Sequence, residues 1–283
     1  MNLFLVFLFA FNLFLAPPHQ REEKDLKVCR IENRFMAFSI NPSGYLNIDN
    51  KLSGQSFNLN SEIFSMIVER EAKNVHLESR KFKCESIQKP SSDRIVILFA
   101  GQMAWRGLKV LAEYTLPEDA WYVRKSIQVK NLEGSPIRIK DMVVDRISWP
   151  DSDSLAETDN PLFLENQIFW GMEWPIADPV VDSKGFAFKH YPDFLIKSGE
   201  SWTSKTMSFG VSEHGRIAEA FGRYILRIRA NRVDFTTLYF DWLCHDNSGP
   251  LESEILANFS VLKKMKELYG LQFDIYNSDA GLV

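Results

Sequence analysis

From about Arg34 to Val211 apolar and polar residues alternate with a period of two, the pattern of strands that bury one face. The clearest run is Trp121–Lys130. Trp121, Val123, Ile127 and Val129 fall on one face, while Tyr122, Arg124, Ser126, Gln128 and Lys130 fall on the other. Lys125 interrupts the apolar face. Leu108, Val110, Ala112, Tyr114 and Leu116 alternate in the same way, and Met207, Phe209 and Val211 do so more briefly. Ile95–Phe99 reads as a strand buried on both faces. Turn signals separate these runs at Asn41-Pro-Ser-Gly44, Lys89-Pro-Ser-Ser-Asp93 and Asn131-Leu-Glu-Gly134. Many strands at such spacing, with no strong helix among them, predict a mainly β fold of antiparallel sheets packed as a sandwich over residues 30–211.

The period then changes. Ile217, Ala220, Phe221, Tyr224, Ile225 and Ile228 form one stripe of an amphipathic helix, with Arg216, Arg223, Arg227 and Arg229 kept off it. This predicts a connecting helix within residues 212–232 that docks on the sandwich. Residues 233–283 then read as strand, helix, strand. Thr236–Phe240 is β-prone, and Asn247-Ser-Gly-Pro250 precedes a helix with Glu252 and Glu254 at its positive end. Lys263, Lys264 and Lys266 lie towards its negative end, Gly270 stops it, and Leu271–Tyr276 is the second strand. Strands joined through a helix should be parallel and connected right-handedly. Two parallel strands cannot bury themselves, so the expectation is a truncated start of a TIM-type (β/α)8 barrel, with the natural protein continuing past Val283.

The first sixteen residues, MNLFLVFLFAFNLFLA, are an almost unbroken apolar run. It is short for a membrane span, which needs about 20 residues, and suits a signal peptide over residues 1–20. No Lys or Arg precedes it and Pro17 follows Ala16, so an uncleaved anchor stays open. Either way the rest of the chain is expected to be secreted or extracytoplasmic, and membrane attachment is expected only through this segment. The remainder has an ordinary globular composition. A net charge of -4 offers no basic face for a phosphate backbone, so no nucleic-acid partner is expected. Cys29, Cys84 and Cys244 are too few and oddly spaced for a disulfide framework or a zinc site. A Cys29–Cys84 bridge would need export; buried free thiols are the other expectation. Seven Trp and twenty-two Phe are compatible with sugar-stacking surfaces and equally with aromatic-rich sheets.

In βα architectures ligands are met at the carboxyl ends of the strands. Here those ends read Asp241-Trp-Leu-Cys-His-Asp246 and Asn277-Ser-Asp-Ala-Gly281. The carboxylates could accept hydrogen bonds from sugar hydroxyls, and Trp242 could stack on a ring. Asp246 and Asn247 suit helix capping as well. His190, His214 and His245 have no metal-ligand spacing, no Gly-rich phosphate loop appears, and no cofactor or metal is expected. The sequon at Asn258-Phe-Ser260 falls inside the second predicted helix.

The order strand, Asp241-Trp242, helix, then Phe273-Asp-Ile-Tyr-Asn-Ser-Asp-Ala-Gly281 resembles the opening of the barrel in α-galactosidase-like glycoside hydrolases. Ile168-Phe-Trp-Gly-Met-Glu-Trp-Pro175 resembles the aromatic Gly-x-Glu-x-Pro segment of their amino-terminal sandwich, and Ala220-Phe-Gly-Arg-Tyr224 their connecting helix. The resemblance implies a carbohydrate substrate, α-linked, cleaved with retention by the complete enzyme. It implies sugar contacts at Trp242 and Asp279, and at Asp241. Ala280 and Leu282 depart from the family's Asp-Asp-Gly-Trp element, which places galactose specificity in question. The family's nucleophile and acid/base lie on later strands, so no catalytic residue is assigned here. Two other readings stand beside this one. One is a non-catalytic carbohydrate-binding sandwich; the other is an epimerase-like sandwich, which would need its own acid/base pair, for example His190 with Glu173.

Overall fold

The computed structural model describes residues 28–149, 160–174, 177–229, 238–240, 251–271 and 274–277. The chain divides into two units, residues 1–224 and 225–283, each taken by itself below.

Among its described residues the first unit holds eighteen strands and the start of an α-helix. They begin with β1 (Cys29–Glu32), β2 (Met36–Ile40), β3 (Tyr45–Asn50), β4 (Gln55–Glu62), β5 (Ser65–Arg70) and β6 (Lys73–Glu78). β7 (Lys83–Ser91), β8 (Arg94–Ala100), β9 (Leu108–Thr115), β10 (Tyr122–Asn131) and β11 (Ile137–Ser148) follow. After them come β12 (Leu162–Leu164), β13 (Ile168–Met172), β14 (Asp178–Asp182), β15 (Gly185–His190), β16 (Phe194–Ile196), β17 (Ser201–Thr203) and β18 (Met207–Val211). The helix α1 (Ile217–Ile228) starts in this unit and continues into the next.

A ten-stranded sheet runs in the order β1-β2-β3-β4-β11-β15-β14, with β5 and β16 also on β11 and β6 on β5. An eight-stranded sheet runs β12-β13-β18-β10-β9-β8-β7, with β17 on β10. Both are antiparallel, and their inner faces share one apolar core. This is the expected sandwich. The alternations read from sequence lie in it as β8, β9, β10 and β18, and β8 is buried on both faces from Ile95 to Ala100. The turn signals have local causes. Asn41 accepts hydrogen bonds from the Ser43 and Tyr45 amides, and Gly44 sits at φ +91°, where a Cβ would lie 1.8 Å from the Ser61 carbonyl oxygen. Pro90 falls in the edge strand β7, beside a break in its register with β8.

Lys125, the cation on the apolar face of β10, points into the core and is fully buried. Its Nζ donates to the Ile63 carbonyl at 2.7 Å, lies 3.2 Å from Asp145 Oδ1 and sits 5.1 Å from the Tyr114 ring centre. Ser61 donates to the same Asp145 oxygen. Asp145 reaches the core through a register shift between Val143 and Asp145, which turns Val144 and Asp145 inward together. The pair therefore joins the two sheets. Burial pulls Lys125 down to about 8 against the upward pull of Asp145, and burial pushes Asp145 up against Lys125 and Ser61.

α1 docks on the outer face of the eight-stranded sheet as far as Tyr224. Phe221 and Tyr224 pack on Phe169, and Tyr224 meets Tyr122 edge-on at 4.7 Å. The Tyr224 hydroxyl lies 2.7 Å from both Glu173 Oε1 and Ser208 Oγ, and Arg124 donates to both Glu173 oxygens at 2.7 and 2.6 Å. Glu173, from the Gly-x-Glu-x-Pro segment, thus ties the helix to the sheet.

Cys29 and Cys84 are free thiols, so the bridge between them is not formed. Burial pushes the Cys84 thiol up to about 11, which leaves it protonated and unreactive at neutral pH.

In the second unit β19 (Leu238–Phe240) and β20 (Ile275–Asn277) pair in parallel, with α2 (Glu252–Tyr269) between them in sequence. Glu254 accepts from the Leu251 amide at 2.8 Å, and Gly270 at φ +69° closes the helix on the Lys266 carbonyl, as its end signals predict. Phe259 stacks on Tyr276 at 4.6 Å, and Asn258 of the sequon donates to the Tyr276 hydroxyl. Among the described residues no helix is long and apolar enough to cross a membrane. The apolar run at 1–16 lies outside them.

Candidate functional site

The residues named from the strand ends, Asp241, Trp242 and Asp279, lie outside the described residues, as do Cys244, His245 and Asp246. What is described is the pair of strands leading to them. Their register places Phe240 beside Asn277, so both strands end at the same edge of the parallel pair.

Within the first unit the ten-stranded sheet carries a groove of about 1120 Å³ over β4, β5, β6, β11, β14 and β15, lined also by the Asn41–Ser43 turn, by Phe82 and by Cys84 and Phe99 of the eight-stranded sheet. Strand alternation explains its lining. In β4, Phe57, Leu59 and Ser61 face the core, which turns Glu62 outward. In β15, Phe186, Phe188 and His190 are buried inward, so Ala187 and Lys189 line the groove. The shift that turns Asp145 inward keeps Val143 and Arg146 on the groove side.

Three ion pairs run along this face: Arg80 Nε to Glu78 at 2.6 Å, Lys189 to Asp141 at 3.2 Å, and Arg146 to Asp182 at 2.9 Å. His76 Nδ1 lies 3.4 Å from the other Glu78 oxygen. Glu62 is different. It is half-buried, and no described side chain or amide donates a hydrogen bond to its carboxylate. Burial, then the neighbouring Glu78 charge, push its pKa up, while Arg80, Arg146 and His76 pull it down. Glu78 moves the opposite way, held below the carboxylate range by its Arg80 hydrogen bond. Two carboxylates in one groove are thus driven apart in acidity. Sequence reading missed this site, because its members lie between residues 41 and 189 and only the sheet register unites them.

His190 and Glu173 do not form a pair. His190 faces the core from the ten-stranded sheet and stacks on Trp202, whereas Glu173 is held by Arg124, Ser208 and Tyr224 beside the eight-stranded sheet. Burial, with Lys205 nearby, lowers His190 to about 4, and its Nε2 has no partner among the described residues. An acid/base role shared by these two groups is therefore ruled out by their placement. Among the described residues no group of His, Cys, Asp and Glu is arranged to hold a metal ion.

Two packed antiparallel sheets, a docked helix and a following parallel strand pair, in that order, define an architecture that can be compared with solved structures. An α-galactosidase of glycoside hydrolase family 36 from Geobacillus stearothermophilus matches with a TM-score of 0.55 at 13% identity, over 90% of this chain and 49% of that one. The fold is that of the α-galactosidase amino-terminal region. A second family 36 α-galactosidase from the same organism, in complex with 1-deoxygalactonojirimycin, matches at 0.54 and 13% identity, over 88% of this chain and 49% of its own. A putative aldose 1-epimerase from Escherichia coli gives 0.46 at 10% identity, over 66% of this chain and 99% of its own. The chain spans about half the length of the α-galactosidases it matches. No family model matches the chain, and no curated protein matches it in sequence.

Proposed function

We propose that this chain is the amino-terminal portion of a glycoside hydrolase acting on α-linked sugars, with retention of configuration in the complete enzyme. The observation that carries the reading is the extent of the α-galactosidase likeness. It runs over 88–90% of this chain yet stops at about half of those enzymes. The parallel pair β19–β20 with α2 between them supports the same reading, since strand, helix and parallel strand are the repeating unit of a (β/α)8 barrel. In this proposal residues 233–283 begin the barrel, and Asp241, Trp242 and Asp279 hold the sugar at the carboxyl ends of its first two strands. The carboxylates that break the glycosidic bond belong to later strands, where a retaining pair stands about 5–5.5 Å apart.

The test uses the protein extended by its downstream coding sequence. Asp279→Ala removes a charged hydrogen-bond acceptor and is expected to weaken saccharide binding and turnover by about 1.5–3 kcal/mol. Unchanged kcat/KM in that variant would remove Asp279 from the site.

We also propose export, on the apolar run at residues 1–16. Residues 1–30 fused to a reporter active only outside the cytoplasm should give signal; a soluble, silent cytoplasmic fusion would refute it.

A further inference from the structure

The groove on the ten-stranded sheet has a use that the barrel reading leaves unassigned. Its charges cancel: Glu62, Glu78, Asp141 and Asp182 are matched in number by Arg80, Arg146, Lys184 and Lys189. Six of these eight are spent on the three ion pairs described above. The groove therefore has no net field to draw in an anion or a cation. It nevertheless offers free hydrogen-bonding capacity. The Glu62 carboxylate accepts nothing from the described residues, and the side chains of Asn60, Ser65 and Ser148 make no hydrogen bond among them. Between these polar groups Ile67, Val143 and Val180 supply small aliphatic surface on the same face. An uncharged molecule with hydroxyls at its edges and C–H groups on its faces satisfies all three features.

We propose that this groove is a binding site for a neutral oligosaccharide, with Glu62 accepting hydrogen bonds from its hydroxyls. The site belongs to the sandwich alone and does not rest on the glycoside hydrolase reading, whose proposed contacts lie at the ends of β19 and β20.

Calorimetric titration of the 283-residue chain tests it, with raffinose, maltotriose and cellotriose as uncharged probes and trigalacturonate as an anionic one of equal length. At least one neutral trisaccharide should bind, and trigalacturonate about tenfold more weakly or not at all. Glu62→Ala should weaken the neutral probe about tenfold, with Glu62→Gln between it and wild type. Val143→Trp, which fills the groove without touching a charge, should abolish binding, and thermal melts establish that each variant is folded. The component of binding that Glu62→Ala and Val143→Trp remove belongs to the groove, and any component lost only in Asp279→Ala belongs to the strand ends. Absence of binding by all three neutral probes overturns the proposal. So does binding that survives both Glu62→Ala and Val143→Trp, or that disappears only in Asp279→Ala, which would move it to the strand ends.

Discussion

Lys125→Ala is expected to destabilise the sandwich by about 3–5 kcal/mol, because it leaves Asp145 as an unpaired charge in the core. Both side chains are buried: Nζ reaches the Ile63 carbonyl and Asp145 on the ten-stranded sheet's side, and Asp145 Oδ1 meets Lys125 and accepts from Ser61 of its own sheet. Among the described residues Asp145 Oδ2 and the Tyr114 hydroxyl lack a hydrogen-bond partner, so the cluster is only partly satisfied even with Lys125 in place. Asp145→Ala should cost a similar amount by stranding the ammonium. The double replacement Lys125→Met with Asp145→Leu removes both charges and restores apolar volume, and it should be more stable than either single variant. Urea unfolding of the three variants and the wild type closes the cycle. A loss below about 1 kcal/mol in either alanine variant would mean that water reaches the pair.

The second large effect depends on pH. His190 is lowered to about 4 from an ordinary 6.5, chiefly by burial and further by Lys205. The folded state therefore binds fewer protons than the unfolded state between those values, and stability rises with pH across the window. It is fully present above about 6.5 and is lost as pH falls towards 4, by at most about 3 kcal/mol. His190→Phe keeps a ring against Trp202, 5.7 Å away in the wild type, and cannot charge. Unfolding free energies at pH 7, 5.5 and 4 should show the wild type losing stability relative to His190→Phe by that amount. Parallel curves for the two proteins would show that His190 is hydrated or paired in solution.

How much of this was legible in the sequence depends on phase. Strands β8, β9, β10 and β18 keep an unbroken period of two, or bury both faces, and they read directly. β11 is the longest strand and the centre of its sheet, yet it did not read, because the shift at Val143–Asp145 buries two successive residues and inverts the alternation halfway along. β13 hides for another reason: the docked helix covers its outer face, so all five residues from Ile168 to Met172 are buried. Lys125 was visible as the one charge on an apolar face, but its partner was not, since Asp145 owes its position to that same shift. The segment around Glu173 was recognised through a family resemblance, while its partners Arg124, Ser208 and Tyr224 come from three separate elements. The groove could not be read at all. Glu62, His76, Asp141, Arg146 and Lys189 become neighbours only through antiparallel registers, which side-chain pattern alone does not fix between non-consecutive strands.

The measurement that bears most directly on the proposed function is hydrolysis of a panel of aryl α-glycosides by two proteins, the 283-residue chain and the same chain continued through its downstream reading frame. The proposal expects the longer protein to hydrolyse at least one α-glycoside with retained anomeric configuration. It expects the 283-residue chain to hydrolyse none, because its strand-end carboxylates Asp241 and Asp279 hold substrate and do not cleave it. Turnover by the 283-residue chain that is abolished by Asp241→Ala or Asp279→Ala would contradict that division of labour. So would a longer protein that encodes no further strand–helix repeats and cleaves nothing.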